Sequence, residues 1–578
     1  MEFSWMVGGE AGFGIMASGL TLSKTFARGG LHVFDTIEYP SLIRGGHNTC
    51  MVRTANREVH SHTGYIDMLV ALNEETIHLH KDEMAQTGCI LFDGMHEPED
   101  RFGVHADISL FPIPLGDIVK DIGGRPIMRN TAAIGATIAL IGYDLSILED
   151  LLADMFKRKS EDVVRDNIHV ARAGYDFMMD NHPGGSGIIV KPQDNYRRMV
   201  VTGNEAVGLG ALSAGCTFYS AYPMTPASGI LHFLAAEERN YNLVVKHTED
   251  ELAAILMAIG ASHAGVRAMT ASSGGGFSLM VEALGLAAMT ETPLVIMEGQ
   301  RPGPSTGLAT RTEQGDLRFV LHASQGDFPR VVIAPGDVEE CFQAAGHAFN
   351  LAEKYQVPVI ILTDKFLTES HKTVLAFEPV PVDRGMLLDE AHLDRITDYK
   401  RYEITDSGIS PRIIPGHRNG VFRANSNEHD EYGFDLEDPL NRTAMMDKRM
   451  RKLEQIASEL PEPHLYGPQK ADVTLLSWGS TKGPILEAML LLKNNNITVN
   501  FLQIMNLHPF PLEKVTRIMK RATLTIDVEN NKTAQLAGLI REHTGLKVDE
   551  KILKYSGRPF TPEEIANSVA EVVEHGRK

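Results

Sequence analysis

Short apolar runs alternate with amphipathic stretches from the first residues of this chain. Phe3 to Gly8 reads as a strand, a glycine-rich turn follows, the spacing then predicts a helix from about Ile15 to Arg28, and Leu31 to Asp35 is a second strand, which together make a βαβ beginning. Further apolar runs at Asp67 to Ala71 and Cys89 to Asp93 continue the pattern, a helical stretch closes near Met178, and the polar, glycine-containing segment Asn181 to Gly187 reads as a linker. A second alternating region runs from about Val200 to Thr373. Its strands are expected at Val266 to Thr270, Leu294 to Met297, Val331 to Ala334 and Val359 to Thr363, with Ala-, Gly- and Met-rich helices between them that suit close packing on a parallel sheet. Beyond Phe377 the texture turns proline-rich, then charged and irregular, with a helix near Arg442 to Glu459. From Ala471 the alternation returns, with strands at Val473 to Ser477, Val499 to Ile504 and Leu524 to Val528. The pattern therefore predicts an α/β fold of three α/β domains, over 1–185, 195–376 and 470–578, with a long linker region over 377–469.

Composition narrows the function. A formal net charge of −20 over 578 residues argues against nucleic acid or an anionic membrane surface as the main partner, since both need a basic face. The start Met1-Glu2-Phe3-Ser4 lacks a basic region followed by an apolar stretch, and the longest apolar run, around Thr131 to Tyr143, is too short to span a bilayer. Cys50, Cys89, Cys216 and Cys341 are scattered, without the paired spacing that holds zinc or an iron–sulfur cluster. The expectation is a cytoplasmic protein with free thiols and no metal site of its own, so any cluster that takes electrons from it sits on another chain.

Candidate chemistry concentrates in the second region. In Tyr222-Pro223-Met224-Thr225-Pro226 two prolines bracket one threonine and stiffen a turn at a strand end. Thr248-Glu249-Asp250-Glu251 opens a small-residue helix, where acidic residues serve as caps and dipole partners. The strand Val266 to Thr270 runs into Ala271-Ser272-Ser273-Gly274-Gly275-Gly276, a turn that lets a ligand approach the backbone closely. The polar stretch Gly299-Gln300-Arg301-Pro302-Gly303-Pro304-Ser305-Thr306-Gly307, continued by Thr310-Arg311-Thr312-Glu313-Gln314-Gly315-Asp316-Leu317, follows a strand where α/β sheets bind ligands. An arginine there can hold a carboxylate bidentately, the alternative being a surface loop with solvated arginines.

Tyr222 to Pro226 is similar to the Tyr-Pro-Ile-Thr-Pro signature of the 2-oxoacid:ferredoxin oxidoreductases, with methionine in the isoleucine position, and the Ser273–Gly276 turn and the Gly299–Leu317 stretch resemble loops of the same family. The resemblance implies an alpha subunit whose middle domain binds the pyrimidine end of thiamine diphosphate. It gives Glu251 the catalytic task of hydrogen-bonding the aminopyrimidine ring, leaving Glu249 and Asp250 as caps. It sets Thr225 and Arg301 at the substrate carboxylate with Arg311 second, and Tyr222, Pro223, Ser273 and Gly274 around the cofactor. The family's metal motif starts Gly-Asp-Gly, whereas the Gly-Asp pairs at Gly116, Gly315, Gly326 and Gly336 lack the second glycine. Mg²⁺ and a [4Fe–4S] cluster are therefore expected on a beta subunit, in an assembly of two alpha and two beta chains.

The first domain resembles the family's gamma subunit, through Gly8-Gly9-Glu10-Ala11-Gly12-Phe13-Gly14 and Tyr39 to His47. There Arg44, Gly45 and Gly46 become candidates for coenzyme A, a structural role for Arg44 remaining open. Asp35 after the glycines is the rival sign of a dinucleotide fold, but the glycine order is the reverse of that fingerprint. The last domain resembles the carboxyl-terminal domain of transketolase-like enzymes. The implied reaction is oxidative decarboxylation of a 2-oxoacid, 2-oxoglutarate first and pyruvate, branched-chain or indolepyruvate substrates as alternatives, with ferredoxin accepting the electrons and coenzyme A the acyl group. A non-catalytic assembly subunit and a nicotinamide-linked dehydrogenase are the readings from other classes.

Overall fold

Strands whose residues are apolar on both faces run through the middle of each sheet: Trp5 and Val7, Leu69 and Val70, Val295 and Ile296, and Leu475 and Leu476 are all fully buried. The computed structural model describes residues 1–42, 45–98, 100–193 and 197–576. They form two units, one of Met1–Val201, Ser370–Ala376 and Thr561–Asn567, the other of Thr202–Glu369, Phe377–Phe560 and Ser568–Lys578.

The first unit is built on an eight-stranded mixed sheet. Glu2–Glu10 pairs in parallel with Ile66–Ala71 and antiparallel with His47–Ala55, which in turn pairs antiparallel with His32–Glu38. His371 and Lys372, which the sequence reading assigned to the middle domain, pair with Asp35 and Phe34 of this sheet. The join is anchored by a buried carboxylate, since Asp35 accepts from the His371 backbone N–H at 3.1 Å and lies 2.8 Å from its ring Nδ1. On one face helices Arg129–Leu140 and Glu161–Asn181 touch backbone to backbone, because a Cβ on Gly135 or Gly174 would fall about 2 Å from the carbonyl oxygen of Ala171 or Ala132.

The second unit holds a seven-stranded and a five-stranded sheet. In the seven-stranded sheet the inner strands are parallel, and Asn506–His508 from the carboxyl-terminal part of the chain adds an antiparallel edge to Val331–Ile333. Ile296, Val332 and Leu362 share one apolar core with Leu476, Trp478, Leu502 and Leu536, so the two sheets are packed as one body. The segment 377–469 is mostly irregular, but it is not loose. Its helix Pro439–Glu459 starts at an Asp438 cap and buries Met445, Lys448, Arg449, Lys452 and Ile456. Among the described residues no helix is long and apolar enough to cross a membrane, and the four cysteines are buried.

Candidate cofactor and substrate site

Parallel strands of the seven-stranded sheet end together and hand the chain to the loops singled out in the sequence. Cys216–Ala221 leads to Tyr222, Arg267–Ser272 to Ser273, Leu294–Gln300 to Arg301 and Pro358–Asp364 to Lys365. Side chains at carboxyl strand ends face the crevice where such sheets bind ligands.

Glu251 is the first residue of helix Glu251–His263 and is 3% exposed. The cap is its neighbour, since Asp250 Oδ1 accepts from the Ala253 N–H at 2.7 Å, while Glu249, also read as a cap, lies exposed outside the helix. That division leaves the Glu251 carboxylate free of capping duty. Its hydrogen bond among the described residues comes from Ser272 Oγ at 3.4 Å. Gly276 is fixed by this carboxylate: a Cβ there would stand 2.4 Å from Glu251 Oε1 and 2.0 Å from Ser272 Oγ. Ser272 also reaches Met224 Sδ at 3.9 Å, which ties the Glu251 pocket to the Tyr222–Pro226 turn. From the other side Arg301 Nη1 donates to the Thr225 carbonyl at 2.9 Å. Ser273 precedes helix Gly274–Met289 without capping it, and its hydroxyl is buried with no partner among the described residues. Thus Glu251, Thr225, Arg301, Ser273 and Gly274 converge on one group of strand ends.

Beneath them lies a cluster of carboxyl groups. Glu298 is fully buried in the strand Leu294–Gln300, and burial first, then the neighbouring Asp316 carboxyl, pushes it well above the usual carboxylate range. Asp316 is itself raised by burial and sits against Gly274, whose added Cβ would meet Asp316 Oδ2 at 2.4 Å. Burial likewise raises Asp364 and Glu313. Arg301 is lowered by burial, with Asp316 acting in the opposite direction. Carboxyl groups shifted toward their neutral form cancel the Arg301 charge less completely than ionised ones would, which favours an anion beside the arginine. The sequence reading assigned no role to Glu298 or Asp316. The signal was present in the charge inside the apolar run Leu294-Val295-Ile296-Met297-Glu298.

The remaining candidates are spread more widely. Tyr222 is exposed with its ring 6.4 Å from that of His247, and Pro223 beside it is half-buried. Arg311 packs its first methylenes against Gly557, where a Cβ would come within 3.2 Å, so it faces the carboxyl-terminal part of the unit. In the first unit Gly45 and Gly46 both have positive φ, 73° and 82°, the conformation that glycine alone adopts freely. Arg44 lies outside the described residues. Among the described residues no group of metal-ligating side chains could hold an ion.

Comparison with known proteins places the chain in a family. Residues 209–448 match the family model described as pyruvate flavodoxin/ferredoxin oxidoreductase, thiamine diphosphate-binding, and residues 4–177 match the model for pyruvate ferredoxin/flavodoxin oxidoreductase. The alpha subunit of a Sulfolobus 2-oxoacid:ferredoxin oxidoreductase is 34% identical, over 100% of this chain and 98% of its own. A 2-oxoglutarate oxidoreductase subunit KorA of Mycobacterium tuberculosis is 28% identical over 97% of this chain and 90% of its own. Among solved structures, the 2-oxoglutarate:ferredoxin oxidoreductase of Magnetococcus marinus, with 2-oxoglutarate, coenzyme A and succinyl-CoA bound, superposes with a TM-score of 0.91 at 33% identity over 99% of each chain. The chain belongs to the 2-oxoacid:ferredoxin oxidoreductase family of enzymes, as an alpha subunit with a gamma-like domain followed by a thiamine diphosphate-binding domain.

Proposed function

We propose that this chain supplies the pyrimidine side of the thiamine diphosphate site in an enzyme that oxidatively decarboxylates 2-oxoglutarate, or runs the reverse carboxylation, with Glu251 as its catalytic carboxyl group. One observation carries the reading: a buried carboxylate, relieved of capping by Asp250, lies at the same strand ends as an arginine held by the Thr225 carbonyl. The residues fit the cofactor's ring end. Glu251 has hydrogen-bonding capacity beyond its bond from Ser272, the buried Ser273 hydroxyl lacks a partner among the described residues, and the face at Gly275 is open, with Ser305 O at 4.0 Å the nearest atom to an added Cβ. When bound, thiamine diphosphate supplies the carbon nucleophile for the ketone and the sink for the electron pair released with carbon dioxide.

Glu251 then holds and moves a proton at pyrimidine N1′, sheltered from water so that the proton is not lost to solvent. Arg301, with Nη1 fixed on Thr225, presents its other N–H groups to the oxoacid carboxylate, and the Thr225 turn closes the opposite side. Mg²⁺, the diphosphate contacts and the [4Fe–4S] cluster belong to a beta subunit, in line with the missing Gly-Asp-Gly motif, and ferredoxin takes the electrons one at a time. Exposed apolar side chains support such a partner: Leu252, Leu256 and Met257 on the Glu251 helix and Leu279 on the next are each 45–48% exposed. The 2-oxoglutarate bound in the Magnetococcus marinus enzyme supports that substrate, and the coenzyme A bound there supports coenzyme A as acyl acceptor, with Arg44, Gly45 and Gly46 its candidates here.

The experiment is coexpression with the beta subunit and a panel of 2-oxoacids with a dye acceptor. Arg301→Ala is expected to lower kcat/KM by about 100-fold, the equivalent of ~3 kcal/mol, with thiamine occupancy unchanged. Glu251→Ala is expected to abolish exchange of the thiazolium C2 proton in the bound cofactor. Wild-type kinetics in the first variant, or undiminished exchange in the second, removes the respective assignment, and a preference for pyruvate or branched-chain acids replaces the substrate.

A further inference from the structure

The loop that starts at Arg301 and ends at Asp316 joins strand Leu294–Gln300 to helix Leu317–His322 without a helix or strand of its own. A loop of that length does not hold an arginine in place unless something outside it fixes the backbone. At its start Arg301 is tied to Thr225, and at its end the Asp316 N–H donates to Gln300 Oε1 at 2.9 Å. Between these points Thr312 ties the loop to the neighbouring strand end, its hydroxyl donating to Asp364 Oδ1 at 3.1 Å and accepting from the Phe366 N–H at 3.2 Å, and the other anchors come from the carboxyl-terminal part of the unit, where most of them meet at Gln314.

Gln314 is fully buried and uses both its backbone and its side chain. Its N–H donates to the Asn530 carbonyl at 2.7 Å, and its Oε1 accepts from the Asn530 N–H at 2.9 Å. Its Nε2 donates to the Trp478 carbonyl at 2.8 Å, and its carbonyl accepts from Asn531 Nδ2 at 3.1 Å. Gly479, with φ of 58°, leaves the space, since a Cβ there would stand 2.8 Å from Gln314 Nε2. The receiving side is rigid in its turn. Glu529 accepts from Trp478 Nε1 at 3.0 Å, Asn531 Nδ2 at 2.7 Å and the Leu536 N–H at 2.8 Å. A second bridge follows immediately, where Gln535 Nε2 donates to the Gly315 carbonyl at 2.6 Å and Gln535 Oε1 accepts from the Arg318 N–H at 2.8 Å.

We propose that Gln314 is a positioning residue for the oxoacid: with Gln535 it clamps the Arg301–Asp316 loop to the five-stranded-sheet domain, which thereby sets where Arg301 meets the substrate carboxylate. A carboxamide suits the task because it donates to one carbonyl and accepts from one N–H at the same time, which neither a carboxylate nor an apolar side chain does. The inference rests on the reading of Arg301 as the carboxylate ligand.

The test uses the coexpressed alpha–beta enzyme. Gln314→Glu replaces the donor to Trp478 with an acceptor at nearly constant volume, and Gln535→Ala removes the half-exposed bridge with less risk to folding. For both, KM for the 2-oxoacid is expected to rise by about tenfold or more while KM for coenzyme A holds. Backbone amides of 301–316 should exchange hydrogen faster than in the wild type. Asp549→Ala, which cuts the bonds to the Thr525 N–H and hydroxyl in the same domain but touches nothing in the loop, is the control and should lower Tm without moving either KM. An unchanged oxoacid KM in Gln535→Ala, or the same rise in Asp549→Ala, overturns the clamp. If Arg301→Ala itself has normal kinetics, the reading of Arg301 fails first, and faster loop exchange in the Gln535 variant would then support a clamp with no part in substrate binding and overturn the proposal as stated.

Discussion

Glu291 stands just before the strand Leu294–Gln300 and Glu298 near its carboxyl end, and both are shut off from water, but their surroundings treat the charge in opposite ways. At Glu291 burial would raise the carboxyl, yet Lys448 and Lys452 hold it well below its usual range. Lys448 Nζ donates to one oxygen at 2.6 Å, Lys452 donates to the other, and Arg401 takes the Glu291 backbone carbonyl at 2.7 Å. At Glu298 no cation arrives among the described residues. Burial and the Asp316 carboxyl both push it well above the usual carboxylate range, which favours the protonated form. The amino end of the strand is thus a compensated knot that pins the 377–469 segment, and the carboxyl end is an uncompensated acid cluster beside the arginine. Charge that is fully paired serves architecture, and charge left short of partners is available to a ligand.

The comparison breaks most visibly at the knot. Glu291→Ala leaves two buried ammonium groups facing each other and is expected to cost about 3–5 kcal/mol, read as a fall in the denaturant midpoint. A change under about 1 kcal/mol would mean that the lysines find water or other partners when the carboxylate is gone.

The acid end is tested by its sign. The folded pKa of Glu298 lies above the unfolded value, so between those two values the folded chain binds more protons than the unfolded chain, and stability contributed by this group falls as pH rises through that window. Glu298→Gln should remove a slope of up to about 1.4 kcal/mol per pH unit, measured as the difference between variant and wild-type unfolding curves from acid to neutral pH. Parallel curves would show that Glu298 ionises freely. Glu291 has the opposite sign: its contribution is complete above the ordinary carboxylate pKa and fades only as pH falls below it.

The smallest effect separates neighbours at the Glu251 helix. Asp250→Ala should cost about 1 kcal/mol as the loss of a cap, whereas Glu249→Ala should stay within about 0.5 kcal/mol. Equal losses would mean that both residues support the helix start.

Hydrophobic patterning along the chain determined that this is an α/β protein with alternating strands and helices in three regions, because burial on one or both faces writes a period into the sequence. The stiff turn at Thr225, the glycine turn at Ser273–Gly276 and the arginine after strand Leu294–Gln300 were legible for the same reason, as local signals within a few residues. Pairings between distant residues were not. The sequence marks a helix near Arg442 to Glu459 but not which of its charges face inward, and only packing turned Lys448 and Lys452 onto Glu291. The strand at His371, the edge strand at Asn506–His508, the clamp on Gln314 and the contact of Asp316 with Gly274 each join residues tens to hundreds of positions apart, and a one-dimensional period carries no record of which surfaces meet. Tertiary structure decided those, because the free energy of burying a charge or an amide depends on the partner waiting there and not on its neighbours along the chain.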